Sequence, residues 1–73
     1  MKYIIVGMGN FGSYLARRLT DLGHEVVGVD ASETKIDQVK DHITHAVALD
    51  ATDLHAVNNL PMKDCDVVVI AIG

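Results

Sequence analysis

Tyr3-Ile4-Ile5-Val6-Gly7-Met8-Gly9-Asn10-Phe11-Gly12 decides how this 73-residue chain is read. Four largely apolar residues run straight into three glycines spaced G-x-G-x-x-G. The spacing alone is a weak signal in a chain holding six glycines, so the context carries the information. A buried strand leads in and a helical pattern leads out. A second apolar run, Glu25-Val26-Val27-Gly28-Val29, then ends on Asp30. A strand, a glycine turn, a helix and a strand ending in an acid are the arrangement that holds a dinucleotide at a helix start.

Each glycine answers a physical need. Gly7 is expected to take the sharp turn off the strand, with backbone angles closed to other residues. Gly9 has no Cβ, so a pyrophosphate can approach the main chain, and Gly12 lets the helix pack closely on the strands. The free N–H groups and positive dipole end of the helix then face the phosphates, so the loop needs no cation, and it contains none. Met8, Asn10 and Phe11 fill the rest of this candidate phosphate site. Asp30 is expected to accept hydrogen bonds from both ribose hydroxyls and to repel a 2′-phosphate. Ala31, Ser32, Glu33 and Thr34 bring no cation to offset its charge, so NAD is expected over NADP. Ala31 and Lys35 complete the candidate ribose side.

The rest of the chain continues the alternation. Strands are expected over Lys2–Val6, 25–29, 46–49 and 66–72, and helices over 10–22, from Glu33 onward, and over 53–60. Phe11, Leu15, Leu19 and Leu22 recur at helical spacing and are expected to form the apolar face of the first helix. Gly23 suits the left-handed position after it. Ser32 is the expected N-cap of the second helix, whose apolar stripe is Ile36, Val39 and Ile43. Thr52 is expected to cap the third helix and Pro61 to stop it. The order β-α-β-α-β-α-β implies an α/β, Rossmann-like fold, half of a doubly wound parallel sheet with strand order 3-2-1-4.

Composition narrows the function classes. The net charge of −4 argues against nucleic acid or an anionic membrane surface as partner. The longest apolar stretch, Val67 to Ile72, is too short to span a bilayer. Only Lys2 precedes the first apolar run, which breaks at Gly7, so no secretory signal is expected. A lone cysteine, Cys65, fits a reducing compartment. His24, His42, His45 and His55 show no metal-ligand spacing, and Ser13 has no base positioned to activate it, so no enzyme chemistry is expected. The whole chain reads as one unit, residues 1–73, expected to be the front part of a longer domain. Its last strand is expected to be a bare edge, inviting self-association.

The residues Ile5-Val6-Gly7-Met8-Gly9-Asn10-Phe11-Gly12, Gly23-His24-Glu25-Val26, Val29-Asp30, Thr44-His45-Ala46, Leu49-Asp50-Ala51-Thr52-Asp53 and Val69-Ile70-Ala71-Ile72-Gly73 together carry a resemblance. The chain resembles the TrkA-N, KTN or RCK N-terminal domain of potassium channel and transporter regulators. Asp50-Ala51-Thr52-Asp53 is its most specific part. The resemblance implies a cytoplasmic, homo-oligomeric sensor that binds NAD(H), ATP, ADP or AMP. It would report occupancy to a potassium-conducting membrane partner and lie peripherally at the inner face of the membrane.

By position, the resemblance puts Gly7, Gly9 and Gly12 against phosphates and Asp30 against the ribose. Asp50 and Ala51 fall beside the adenine, Thr52 caps the third helix, and Ala71 and Gly73 form the far wall of the cleft. Family domains are nearly twice this length, with later strands and a helix that help form the dimer. Some relatives carry a basic residue where Asn10 stands; its absence favours NAD(H), ADP or AMP over ATP. Two other readings share the glycine loop and Asp30. One is the front of an NAD-dependent dehydrogenase. The other is a methyltransferase using S-adenosylmethionine, although Ile5 and Val6 stand where that enzyme class usually has an acid.

Overall fold

The computed structural model describes residues 1–50 and 65–71. Within them the chain forms β1 (Lys2–Val6), α1 (Asn10–Asp21), β2 (Glu25–Asp30), α2 (Glu33–Val39), β3 (His45–Ala48) and β4 (Val67–Ile70). The four strands make one parallel sheet in the order β3-β2-β1-β4. This is the Rossmann-like α/β arrangement that the alternation of strands and helices implies. The expected third helix over 53–60, with its expected cap Thr52 and stop Pro61, lies outside the described residues, as do Ala51, Ile72 and Gly73.

Burial on both faces explains why β1 and β2 read as unbroken apolar runs. Neighbouring residues point to opposite sides of a strand. Ile5 and Val26 join Met8, Ala16, Ile36, Val39 and Ile43 on the face covered by α1 and α2. Ile4, Val27 and Val29 pack on the other face with Val6, Val47, Leu49 and Cys65. Burying each such aliphatic side chain contributes about 1.5–3 kcal/mol.

The first helix differs from its sequence pattern. Phe11 and Leu22, expected on its apolar face, are 64% and 63% exposed, while the buried positions are Gly12 and Ala16. Leu15 and Leu19 do pack against the core. The cause is close approach: a Cβ on Gly12 would overlap the carbonyl oxygen of Gly7 and lie 3.3 Å from the Ala71 Cβ. With the smallest residues turned to the sheet, Phe11 and Leu22 are left facing solvent.

Smaller shifts affect element ends. β2 runs on through Asp30, α1 stops at Asp21, and β3 covers His45–Ala48, one residue ahead of the expected 46–49. β4 is Val67–Ile70, shorter than the expected 66–72, whose last residue is outside the described set. Gly23 takes the left-handed conformation at φ +92°. Ile43 is buried although α2 ends at Val39, so the third member of that stripe reaches the core from the following turn.

The amino end of the sheet is tied by side chains. The Met1 amine donates to His24 Nδ1 at 3.2 Å, and the His24 ring meets Tyr3 edge-on, centroids 5.3 Å apart. Asp66 Oδ2 accepts from the Lys2 amide at 2.8 Å, and Thr44 Oγ1 accepts from the Val26 amide at 3.0 Å. These bonds fix the strand starts and leave the carboxyl end as the place where glycines and an open helix start meet.

Candidate functional site

The site is built where β1 turns into α1. Gly7 has φ +102°, the region that disfavours any side chain, and its amide donates to the Val29 carbonyl at 2.7 Å. The turn is thereby pinned to the end of β2. Gly9 follows as the N-cap of α1 with φ −70° and ψ −165°, extended angles open to any residue. Among the described residues no atom lies within 4 Å of where its Cβ would stand. Neither its backbone angles nor the packing of the described residues requires glycine at Gly9.

The start of α1 lacks the usual protein partners. Four N–H groups at any helix start have no intrahelical acceptor. Among the described residues no side chain caps α1, and its first turn holds no acid. Ser13 is occupied inside the helix, its hydroxyl donating to the Gly9 carbonyl at 2.7 Å. Asn10 and Phe11 are exposed beside this start. A groove of about 330 Å³ runs from Asn10 down the outer side of α1, past Tyr14 and Arg17, to Asp21.

Asp30 stands next to the turn and is half-buried. Its Oδ2 accepts from the Met8 amide at 2.8 Å and its Oδ1 from the Ser32 amide at 2.8 Å. Burial, the largest single influence, pushes the carboxyl's pKa upward. The two amide hydrogen bonds, with the charge of Lys35, outweigh it and hold Asp30 below its ordinary value of 3.8. The group is therefore an anion at neutral pH. Each carboxylate oxygen has a second lone pair available for a ribose hydroxyl. Lys35 acts on Asp30 through its charge, so a cation does lie within reach, one position beyond the four residues that lack one.

The remaining candidates surround this pair. The Ala71 amide donates to the Val6 carbonyl at 2.8 Å, bringing the end of β4 against Gly12 at the crevice between β1 and β4. Strand order reverses there, the position at which open α/β sheets take ligands. The Leu49 amide donates to the Asp30 carbonyl at 3.0 Å, so Asp50 follows directly beside the end of β2, exposed. Ala31 is exposed and Met8 is 3% exposed, its side chain turned into the core. Ala51, Thr52 and Gly73 lie outside the described residues. Among the described residues no group of three or more His, Cys, Asp or Glu is placed to hold a metal.

Two features were not read from the sequence. Gly28, in the middle of β2, gives room to Met8 and Ile43: a Cβ there would lie 2.8 Å from Met8 Sδ and 2.8 Å from Ile43 Cδ1. A lone glycine among valines in a strand was the available signal. The bond from Met8 to Asp30 left no trace in the sequence, because it depends on the turn folding back beside β2.

The TrkA-N domain profile matches residues 3–73 of this chain. The chain belongs to the TrkA-N domain family. It is 33% identical over 72 residues to Ktr system potassium uptake protein A of Bacillus subtilis strain 168, covering 99% of this chain and 32% of that protein. It is 31% identical over 72 residues to the Ktr system potassium uptake protein A of Vibrio alginolyticus, covering 99% of this chain and 33% of the relative. A GDP-mannose 6-dehydrogenase of Pseudomonas putida is 51% identical, but over 39 residues, which are 53% of this TrkA-N chain and 9% of the enzyme. The chain spans about a third of the length of the potassium uptake proteins it matches. Among the described residues no helix is long and apolar enough to cross a membrane.

Proposed function

We propose that this TrkA-N chain is a ligand-sensing module of a potassium transport protein. It binds an adenine nucleotide, NAD(H) first and ADP or AMP next, across the crevice between β1 and β4. The observation that carries the reading is Gly9: an unobstructed glycine at an uncapped helix start, beside an anionic Asp30. The helix start takes the diphosphate through main-chain N–H groups, and Asp30 takes the ribose hydroxyls. The same carboxylate disfavours the 2′-phosphate of NADP, tempered by Lys35. Asp50, with Ala51 and Thr52, serves the adenine side, and Ala71 with Gly73 the far wall.

No chemical step is assigned to the site. Ser13 donates its hydroxyl to Gly9, and Asp30 is held by two amides, so neither stands ready as nucleophile or base. The work of the module is instead differential binding. A nucleotide that binds one arrangement of subunits better than another shifts the population toward it and supplies the coupling free energy. The partner is a potassium-conducting membrane protein. The module lies against it at the cytoplasmic face and acts as a homo-oligomer. Potassium uptake relatives matching over nearly the full chain support this reading over the dehydrogenase one, whose resemblance covers about half of it.

Calorimetric titration of NAD⁺, NADH, ADP, ATP and NADP⁺ into the chain tests the proposal. Saturable binding of NAD(H) or ADP, with NADP⁺ at least about tenfold weaker, a difference of about 1.4 kcal/mol, is expected. Absence of binding by all five nucleotides would overturn it.

A further inference from the structure

Met8 touches β2 at two places. Its amide donates to Asp30 Oδ2 at 2.8 Å, and its thioether lies over Gly28. Gly28 and Asp30 are two residues apart on one strand and so project to the same face of the sheet. Gly28 has no left-handed backbone angle to explain it. Glycine in a strand interior is a liability unless something approaches closely. Here the approaching group is Met8: its Sδ and Cε would lie 2.8 and 3.3 Å from a Cβ at Gly28, with Ile43 Cδ1 at 2.8 Å. At 3% exposure, Met8 is a side chain seated in a slot.

We propose that Met8 is a positioning residue for the nucleotide: seated in the Gly28 slot, it sets the spacing between the glycine loop and Asp30. The inference rests on the proposed nucleotide site. The loop and the carboxylate belong to different strands, and a ligand that spans both needs their separation held. The Gly7 amide bond to Val29 fixes the start of the turn. Met8 fixes the next residue, leaving Gly9 presented at a constant distance from the carboxylate. Methionine suits the task because its unbranched thioether fills an irregular gap.

The slot is testable because the atoms in the way are side-chain ends. A methyl at Gly28 displaces Met8 and Ile43, not backbone, so β2 survives while the loop shifts. NAD⁺ and ADP are titrated into the parent chain, Gly28→Ala, Met8→Ala, the double variant and Met8→Leu, with thermal unfolding recorded for each. Gly28→Ala is expected to weaken binding about tenfold or more. Adding Met8→Ala removes the collision with the Met8 thioether and leaves only that with the flexible end of Ile43, so the double variant is expected to bind better than Gly28→Ala alone. In an Asp30→Ala background, where no ribose carboxylate remains to be misplaced, Gly28→Ala is expected to lose most of its effect.

Gly28→Ala binding like the parent, or single-variant losses that simply multiply, would overturn the inference. Should Gly28→Ala not fold, Met8→Leu is expected to bind like the parent and Met8→Ala about tenfold worse; equal affinities would overturn it. A parent chain that binds neither nucleotide refutes the site itself, a result distinct from any of these.

Discussion

The helix starts of α1 and α2, at the carboxyl end of the sheet, are built in opposite ways. Behind β2, α2 begins with Ser32, whose hydroxyl accepts from the Lys35 amide at 3.3 Å, and Glu33 lies in the first turn. Behind β1, α1 begins with Gly9, which has no side chain to offer, and no acid follows in its first turn. A side-chain cap and an early carboxylate are what an ordinary helix start needs. The chain supplies both at α2 and neither at α1, within one small sheet. Under the proposed function the α1 start takes its acceptor from the ligand, while the amides of Met8 and Ser32, with the charge of Lys35, hold the neighbouring Asp30 below its ordinary pKa.

Substitutions that break the comparison follow in order of size. Gly12→Ala places a methyl on the Gly7 carbonyl oxygen, backbone that has no freedom to yield. It is expected to destabilise the fold by about 3 kcal/mol, the upper range for overpacking; chemical denaturation measures it. Asp30→Ala is expected to weaken adenosine-nucleotide binding by about 1.5–3 kcal/mol, the range for hydrogen bonds to a charged group. Isothermal titration reads this directly, and an unchanged affinity removes Asp30 from the site. Ser32→Ala removes the cap of α2 and is expected to cost about 1 kcal/mol of stability. Nucleotide affinity should stay as it was; a parallel loss of affinity would erase the distinction between the two starts.

Acid sharpens the same contrast. The folded pKa of Asp30 is depressed, so its stabilising effect is present above the ordinary value of 3.8. It is lost as pH falls through the lower folded value. Acid unfolding followed by circular dichroism should show a stability loss below about pH 3.8 that Asp30→Asn reduces. Identical profiles for the two chains would contradict the bonds from Met8 and Ser32.

Much of this was written in the order of residue types. Apolar runs ending at Gly7 and Asp30 located two central strands, and Ser32 and Gly23 marked a helix start and a helix end. What was not legible depends on distances between elements. The pattern Phe11-Leu15-Leu19-Leu22 gives a plausible apolar face, yet Gly12 against Gly7 rotates the helix so that small residues face inward. The role of Gly28 needed the position of Met8, a residue of another element. Asp30 ends an apolar run as a ribose-binding acid or a turn residue would, but its bond from the Met8 amide depends on the turn lying beside β2.

Under the proposed function, Gly9 is glycine for the benefit of a ligand. Gly9→Val adds a side chain where no atom of the described residues lies within 4 Å, at backbone angles any residue adopts. Nucleotide titration of that variant, with its unfolding curve, is the most direct measurement. Stability within about 1 kcal/mol of the parent is expected, as for exposed positions and lost caps, together with loss of NAD⁺ and ADP binding. A folded Gly9→Val chain that binds both nucleotides as tightly as the parent would contradict it.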